Sequence, residues 1–381
     1  MAVSTVSGVA TTASPTSNQL KIDMREQITM LEPDQTQFTT MLMKLSTEKA
    51  KSFKVEWLTD EYLPRLSAWS VSGASDTVTN GVTTDEGNYF RAGDQIIDTV
   101  TLEVQLVTGA SASCLTVTRS LGTVAAASYA SGNQIVIVGH TNEQGATSPT
   151  RLITKTAAAY NYTSIQRHAW GFTETAEATE WYGGKLYERE RMKKAVEHKI
   201  DIENTLFFGG RSYSATGPRT SCGGAIEFVT TNVTDSGTLD KGELGDFLRT
   251  SLQYGSENKV LFVAPIVAQV ISEFLADNWV RTGINERLWG VKVSAVISGI
   301  YGSEIPVFVK RDWGKYSTSY FGGRAFIADL NNIQYAPLRA TRLIQNTQAN
   351  DADSVAGEWK TEHSLKIESE TTHAWLKGVT G

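Results

Sequence analysis

The sequence predicts an α+β protein assembled from more than one unit, and three stretches carry that prediction. Residues 174–209 read as one long, charged helix. Between Tyr89 and Gly139, short segments of alternating polarity recur about every ten residues with turn residues between them, as in a small β sandwich or barrel. Residues 240–309 then alternate amphipathic helix with apolar strand, and strand-like runs at 338–345 and 357–368 close a sheet late in the chain. At 381 residues the chain is long enough for two or three units with cores of their own.

Residues 1–20 are small, hydroxylated and nearly free of charge, which predicts an extended arm. Residues 22–50 alternate apolar clusters (Met24, Ile28, Met30, Leu31; Phe38, Met41, Leu42, Leu45) with polar residues around Pro33, and predict a short helix or two. Lys54-Val55-Glu56-Trp57 alternates as a half-buried strand, and 67–84, rich in Ser, Thr, Gly, Asn and Asp, reads as an exposed loop. Strands are expected at 95–97, 102–107, 115–119 and 134–138, forming an insertion. Residues 160–167 resume extended structure and lead into the long helix.

That helix is expected to bury a narrow stripe of Ala178, Tyr182, Leu186, Met192, Val196, Ile200 and Phe207. Lys193/Glu197, Glu190/Lys194 and Lys199/Glu203 stand four apart on its charged faces, with His198 among them as a solvated side chain. From Ala178 to Phe208 it would span about 45 Å, with a bend expected at Gly183-Gly184 and a left-handed cap at Gly209-Gly210. Downstream, 240–254 predicts a helix burying Leu244, Phe247, Leu248 and Leu252 and stopped by Gly255. Residues 259–263 predict a buried strand, and Pro265 opens a helix burying Ile266, Val270, Ile271, Phe274 and Leu275. Strands are expected at 291–297 and 305–309.

Composition narrows the function. A hydrophobic content of 40% with 20% charged residues belongs to a folded protein. With 41 acidic against 35 basic side chains the net charge is −6, which disfavours tight, phosphate-neutralising DNA or RNA binding. Cys114 and Cys222 form no CxxC pair and are expected as free thiols. No basic start precedes an apolar run and no stretch suits a membrane span, so synthesis in the cytosol is expected.

Chemistry-bearing motifs are lacking. His140, His168, His198, His363 and His373 show no HExxH spacing. Gly237-Thr238-Leu239-Asp240-Lys241-Gly242 approaches a phosphate loop, but Glu243-Leu244 stands where Lys-Ser/Thr is required. Asp235-Ser236-Gly237 and Asp351-Ala352-Asp353 supply too few ligands for an EF-hand. Asn161-Tyr162-Thr163 and Asn232-Val233-Thr234 match the glycosylation triplet without a signal peptide. Glu174, Glu177 and Glu180 read as a first turn complementing the helix dipole. No catalytic, cofactor-binding or metal-binding residue is assigned.

The order of arm, excursion with inserted β module, charged helix, α/β unit and late sheet resembles the major capsid proteins of tailed double-stranded-DNA bacteriophages, which share the Hong Kong 97 phage fold. Val55-Glu56-Trp57-Leu58-Thr59-Asp60-Glu61, Gly122-Thr123-Val124-Ala125-Ala126, Gly132-Asn133-Gln134-Ile135-Val136-Ile137-Val138-Gly139, Asn161-Tyr162-Thr163-Ser164-Ile165, Thr175-Ala176-Glu177-Ala178 and His373-Ala374-Trp375-Leu376 look like members with a β insertion in the extended loop. The resemblance covers most of the chain beyond residue 50. It implies an N-terminal arm at 1–50, an extended loop at 51–87 and 146–172, and an inserted β domain at 88–145. A peripheral domain with its spine helix would occupy 173–235 and 335–381, and an axial domain 236–334.

What the resemblance implies about function is a shell subunit, not an enzyme: hexamers and pentamers closing an icosahedral virion head around weakly contacted double-stranded DNA, with no membrane. No long charged helix lies within 1–50, so a separate scaffolding protein is expected, alongside a portal and decoration proteins. No lysine–asparagine cross-link is assigned. The alternative shell on this fold is an encapsulin-like compartment, which a cargo-docking groove would favour.

Overall fold

A computed structural model of the chain describes residues 36–45, 47–71, 77–82, 86–181, 185–274, 280–282, 287–288, 291–292, 295–298, 304–316 and 321–380. The arm expected at 1–20, Gly183-Gly184 and Leu275 lie outside them. The chain forms two units, one drawn from residues up to Trp57 and from Ala159 onward, the other Leu58–Ala158. Helix α1 (Gln37–Leu45) answers the expectation of a helix before residue 50, and strand β1 (Lys54–Thr59) extends the predicted strand by two residues.

In the 58–158 unit, β2 (Leu66–Ala68), β3 (Thr77–Gly81), β4 (Asp94–Asp98), β5 (Val104–Ser111), β6 (Cys114–Thr118) and β7 (Gln134–His140) make one sheet in the order β2-β7-β4-β5-β6-β3. An antiparallel bridge between Trp69 and Val82 joins its two edges, so the sheet closes on itself as a small barrel. Period-2 burial fills it: Ile96, Val107, Leu115, Val117 and Ile135 are fully buried, with Trp69 stacked on Tyr129 at 4.8 Å. The expected strands are all present. The exposed loop expected at 67–84 is corrected, because β2 and β3 lie in it, and the unit reaches beyond 88–145 on both sides. Val-Thr alternation at 77–82 is a strand signal that the surrounding Ser, Gly and Asp hid.

The chain returns along β8 (Ala157–Tyr162), paired with β1, and continues as β9 (Ser164–Thr173) into α2 (Glu174–Ala178) and α3 (Leu186–Phe208). The single 45 Å helix is corrected here. Thr179 (φ −79°, ψ 135°) and Lys185 (φ −65°, ψ 127°) are extended, so a capped stub at Thr173 precedes a separate helix of 23 residues, about 34 Å long. Gly209 caps α3 in an extended rather than left-handed conformation (φ −60°). Glycine is needed there for space: a Cβ would stand 2.6 Å from the Thr205 carbonyl oxygen and closer still to that of Cys222.

Next come β10 (Ser212–Ser214), β11 (Arg219–Ser221), α4 (Ala225–Phe228), β12 (Val233–Asp235) and α5 (Lys241–Leu252), the last opened by a reciprocal capping box of Asp240 and Glu243. Gly255 stops that helix at φ +91°. Then follow β13 (Lys259–Val263), α6 (Pro265–Glu273) with proline in its first turn, β14 (Val280–Thr282), β15 (Arg287–Leu288), β16 (Val291–Lys292), β17 (Ala295–Ser298), β18 (Glu304–Val309), α7 (Trp313–Tyr316) and β19 (Ala325–Asp329). The long strands β20 (Ile333–Gln345) and β21 (Ser354–Ile367) precede the final β22 (Ala374–Lys377).

A mixed seven-stranded sheet, β12-β22-β19-β13-β18-β17-β14, forms the centre of this unit. Its β13 and β19 are buried at every residue, and apart from Lys259 and Asp329 at their ends they read as apolar runs for that reason. The second sheet, β20-β21-β9, is antiparallel, and α3 packs against it. Phe38 and Met41 of α1, Ile202, Leu206 and Phe207 of α3, and Phe262, Phe326 and Trp375 of the central sheet share one core. Helix α1 is therefore part of the core, because Phe38 stacks on Phe207 at 4.4 Å.

Candidate functional site

The residues weighed as chemical candidates do not converge. Among the described residues no group of three or more His, Cys, Asp or Glu side chains is placed to hold a metal ion, and no helix is long and apolar enough to cross a membrane. The phosphate-loop-like segment is the capping turn of α5, and Cys114 and Cys222 are free thiols. Glu174 and Glu177 lie in the exposed first turn of α2. Asn161 of the Asn-Tyr-Thr triplet is fully buried, donating to the carbonyls of Gly223 and Leu365 at 2.9 and 2.7 Å while accepting from the Gly223 amide at 2.8 Å. It ties β8 to the loop after β11 and to β21.

What the fold does bring together is a clasp around Glu203. This carboxylate was expected on a solvated face of the helix and is 1% exposed. Oε1 accepts from the Phe38 amide at 2.9 Å and from Lys310 Nζ at 2.8 Å; Oε2 accepts from the Thr39 amide at 2.7 Å and the Thr39 hydroxyl at 2.5 Å. Two amides of the first turn of α1, orphans of any helix start, are thus satisfied by a charge from another helix. Lys310, fully buried, also lies 5.9 Å from the Phe207 ring and 3.7 Å from Asp312, whose carboxyl burial pushes upward against the pull of Lys310. The clasp joins α1, α3 and the end of β18.

A second polar chain crosses from α3 to the β20-β21-β9 sheet. His168 Nδ1 meets His198 Nδ1 at 2.9 Å, His198 Nε2 meets the Thr361 hydroxyl at 2.7 Å, Thr361 meets Thr341 at 2.8 Å, and His168 Nε2 meets Asp201 at 2.9 Å. His198, expected in solvent, is 1% exposed; burial first and His168 second pull its pKa down to about 4. His363 is likewise held at about 3 and His373 at about 4, in both cases chiefly by burial. An open cleft of about 490 Å³ beside His168, lined by Gln166, Asp201, Thr205 and Phe208, has a mixed lining without a nucleophile paired to a base.

Large apolar side chains stand exposed on the 58–158 unit. In the 58–158 unit, Leu58 is 69%, Tyr62 99% and Ile153 87% exposed on its entering and leaving segments. At the barrel, Val100, Leu102, Leu121 and Val124 are exposed on two loops joined by a buried ion pair of Glu103 and Arg119. Burial raises the Glu103 pKa, but hydrogen bonds from Arg119 and the amides of Ser120 and Ala127 outweigh it and hold the carboxyl below its usual range. Leu102 (φ 58°) and Ser120 (φ 55°) sit in the left-handed region that non-glycine residues rarely occupy. Sequence reading missed the clasp because Lys310 stands 107 residues from Glu203.

Comparison with known proteins agrees. Over 109 residues, 28% of this chain, the sequence is 30% identical to the major capsid protein of Pseudomonas phage PaMx41, and the match spans 25% of that relative's length. The fold is similar to the capsid of the native GTA particle, with a TM-score of 0.54 and 9% identity over 97% of this chain and 99% of that one. It is similar too to the capsid of Myoviridae phage XM1, with a TM-score of 0.50 and 9% identity over 98% of this chain and 100% of that one. The architecture is thus the Hong Kong 97 phage capsid fold. The family model for the SU10 major capsid protein matches residues 5–380, and the chain belongs to that family.

Proposed function

We propose that the chain is the repeating subunit of an icosahedral phage head, assembling as hexamers and pentamers around double-stranded DNA. The observation that carries this reading is the family match across residues 5–380, nearly the whole chain. Apolar side chains left in water on the 58–158 unit support it, since a neighbouring copy would cover them. The role is structural rather than enzymatic. A net charge of −6 suits a wall that holds packed DNA without gripping it.

In this reading 1–50 is the arm and 51–172 the extended loop, whose inserted β domain is the barrel of the 58–158 unit. Residues 173–235 and 335–381 are the peripheral domain, and 236–334 the axial domain. Scaffolding, portal and decoration proteins are the partner classes this reading implies. The test is electron microscopy of the purified chain, alone and co-expressed with neighbouring phage genes. Closed shells, or rings of five and six, are expected, and DNA-filled particles separate a head from an enzyme compartment. A persistent compact monomer under both conditions overturns the reading.

A further inference from the structure

We propose that the loop-bearing end of the barrel, built from residues 99–103 and 119–127, is a homotypic interface in which the barrels of two copies of this chain meet face to face. The inference rests on the shell reading above and adds the contact surface. Its first support is charge. From residue 99 to residue 139 the only side chains charged at neutral pH are Glu103 and Arg119. These neutralise each other inside the unit, with side chains 0% and 3% exposed. The stretch therefore offers solvent no charge at all.

That neutrality stands out against its surroundings. Residues 58–158 hold nine acidic and five basic side chains, so two copies approaching elsewhere on the unit bring like charges together. A self-complementary contact between acidic units is least opposed where the meeting loops carry no exposed charge, and the buried centres of interfaces are depleted in charge. The second support is apolar area: Val100 is 68%, Leu102 59%, Leu121 41% and Val124 41% exposed, and residues 120–126 are exposed throughout.

The third support is construction. Both loops are held in shape from beneath. The Asp98 carboxylate accepts from the amides of Val100 and Thr101 at 2.9 Å each, Glu103 accepts from the Ser120 and Ala127 amides, and the Leu121 amide donates to the Val104 carbonyl at 3.0 Å. Leu102 and Ser120 adopt positive φ within this frame, and Leu102 stands exposed. Rigid, neutral, apolar loops are pre-organised for docking.

The experiment uses the full chain, co-expressed as it is for wild-type particles, carrying Leu121→Glu or Leu121→Lys. Each variant alone sets like charges against each other across the contact, and particle yield is expected to fall about tenfold or more. Co-expressing the two variants pairs opposite charges and is expected to restore particles. The same pair at Val124 (Val124→Glu, Val124→Lys) repeats the test at a second position of that loop, with circular dichroism of the purified subunits reporting the fold. Particles from either single variant at wild-type yield overturn the proposal and leave the shell reading standing. Folded variants that fail alone and also fail together overturn it as well, since the face then serves a different partner. A wild-type chain that forms no particles sinks the shell reading, and the interface with it.

Discussion

Glu203 shows how much one residue can organise. Its carboxylate is desolvated and, among the described residues, is compensated by Lys310 and the start of α1, so removing either member breaks a buried, hydrogen-bonded ion pair. Glu203→Ala and Lys310→Ala are each expected to destabilise the chain by about 3–5 kcal/mol in denaturant melts, with new protease sensitivity in residues 37–45. Unchanged midpoints would refute the clasp. The histidines make a separate prediction about pH. His198, His363 and His373 have folded pKa values near 4, 3 and 4, below the ordinary 6.5. Below pH 6.5 the unfolded chain takes up protons that the folded chain refuses, so their contribution is complete above that pH and drains away as pH falls toward 4 and then 3. The expected slope is up to about 1.4 kcal/mol per pH unit for each histidine, less where His168, His198 and His363 influence one another. Among the described residues His363 has no hydrogen-bond partner on either ring nitrogen, and it stacks on Tyr335 at 5.6 Å, so His363→Phe should preserve the fold and flatten the acid limb. An unaltered limb in that variant would mean the residue titrates freely.

The long helix is the element whose existence was legible and whose orientation was not. Its end at Gly209, its charge and its place before the α/β unit all follow from local sequence, as do the capping box at Asp240 and the proline start of α6. Its buried face follows from what packs on it. His198 and Glu203 belong to that face with Ile202, Leu206 and Phe207, while Met192 is 63% exposed and Ile200 only half-buried. A helical wheel scored by apolarity misplaces a face that buries a histidine and a carboxylate, because their partners, Thr361 and Lys310, are far away in sequence. Leu206→Ala is accordingly expected to cost about 2–5 kcal/mol, and Ile200→Asp distinctly less, on chemical denaturation of the two variants side by side. The reverse order would put the original apolar stripe back on the buried face. Gly209→Ala should also destabilise, since the neighbouring carbonyl oxygens of Thr205 and Cys222 are backbone and cannot step aside.

For the molecule as a whole, the order of units was readable because each carries its own periodicity: two residues in the barrel, 3.6 in α3 and α5, apolar runs in β13 and β19. The boundary of the inserted unit was less so, because a strand as short as β2 gives little periodicity and β3 lies among loop-like residues. Their place is set by pairing: β2 runs against β7 and β3 against β6, with Trp69 and Val82 sealing the closure and supplying core side chains. An excision at 88–145 would remove β4, β5, β6 and β7 while leaving Trp69, Val82 and two orphan strands exposed. Bare edges with apolar residues seek other chains, so that deletion is expected to yield aggregated protein. Removing 58–158 with a short Gly-Ser bridge takes the whole barrel with its core. The remaining unit keeps its seven-stranded sheet and the Glu203 clasp, and should stay soluble with a cooperative melt. Expressing both deletions and comparing soluble yield decides the point: soluble, folded protein from the shorter excision would show that β2 and β3 stand without the barrel.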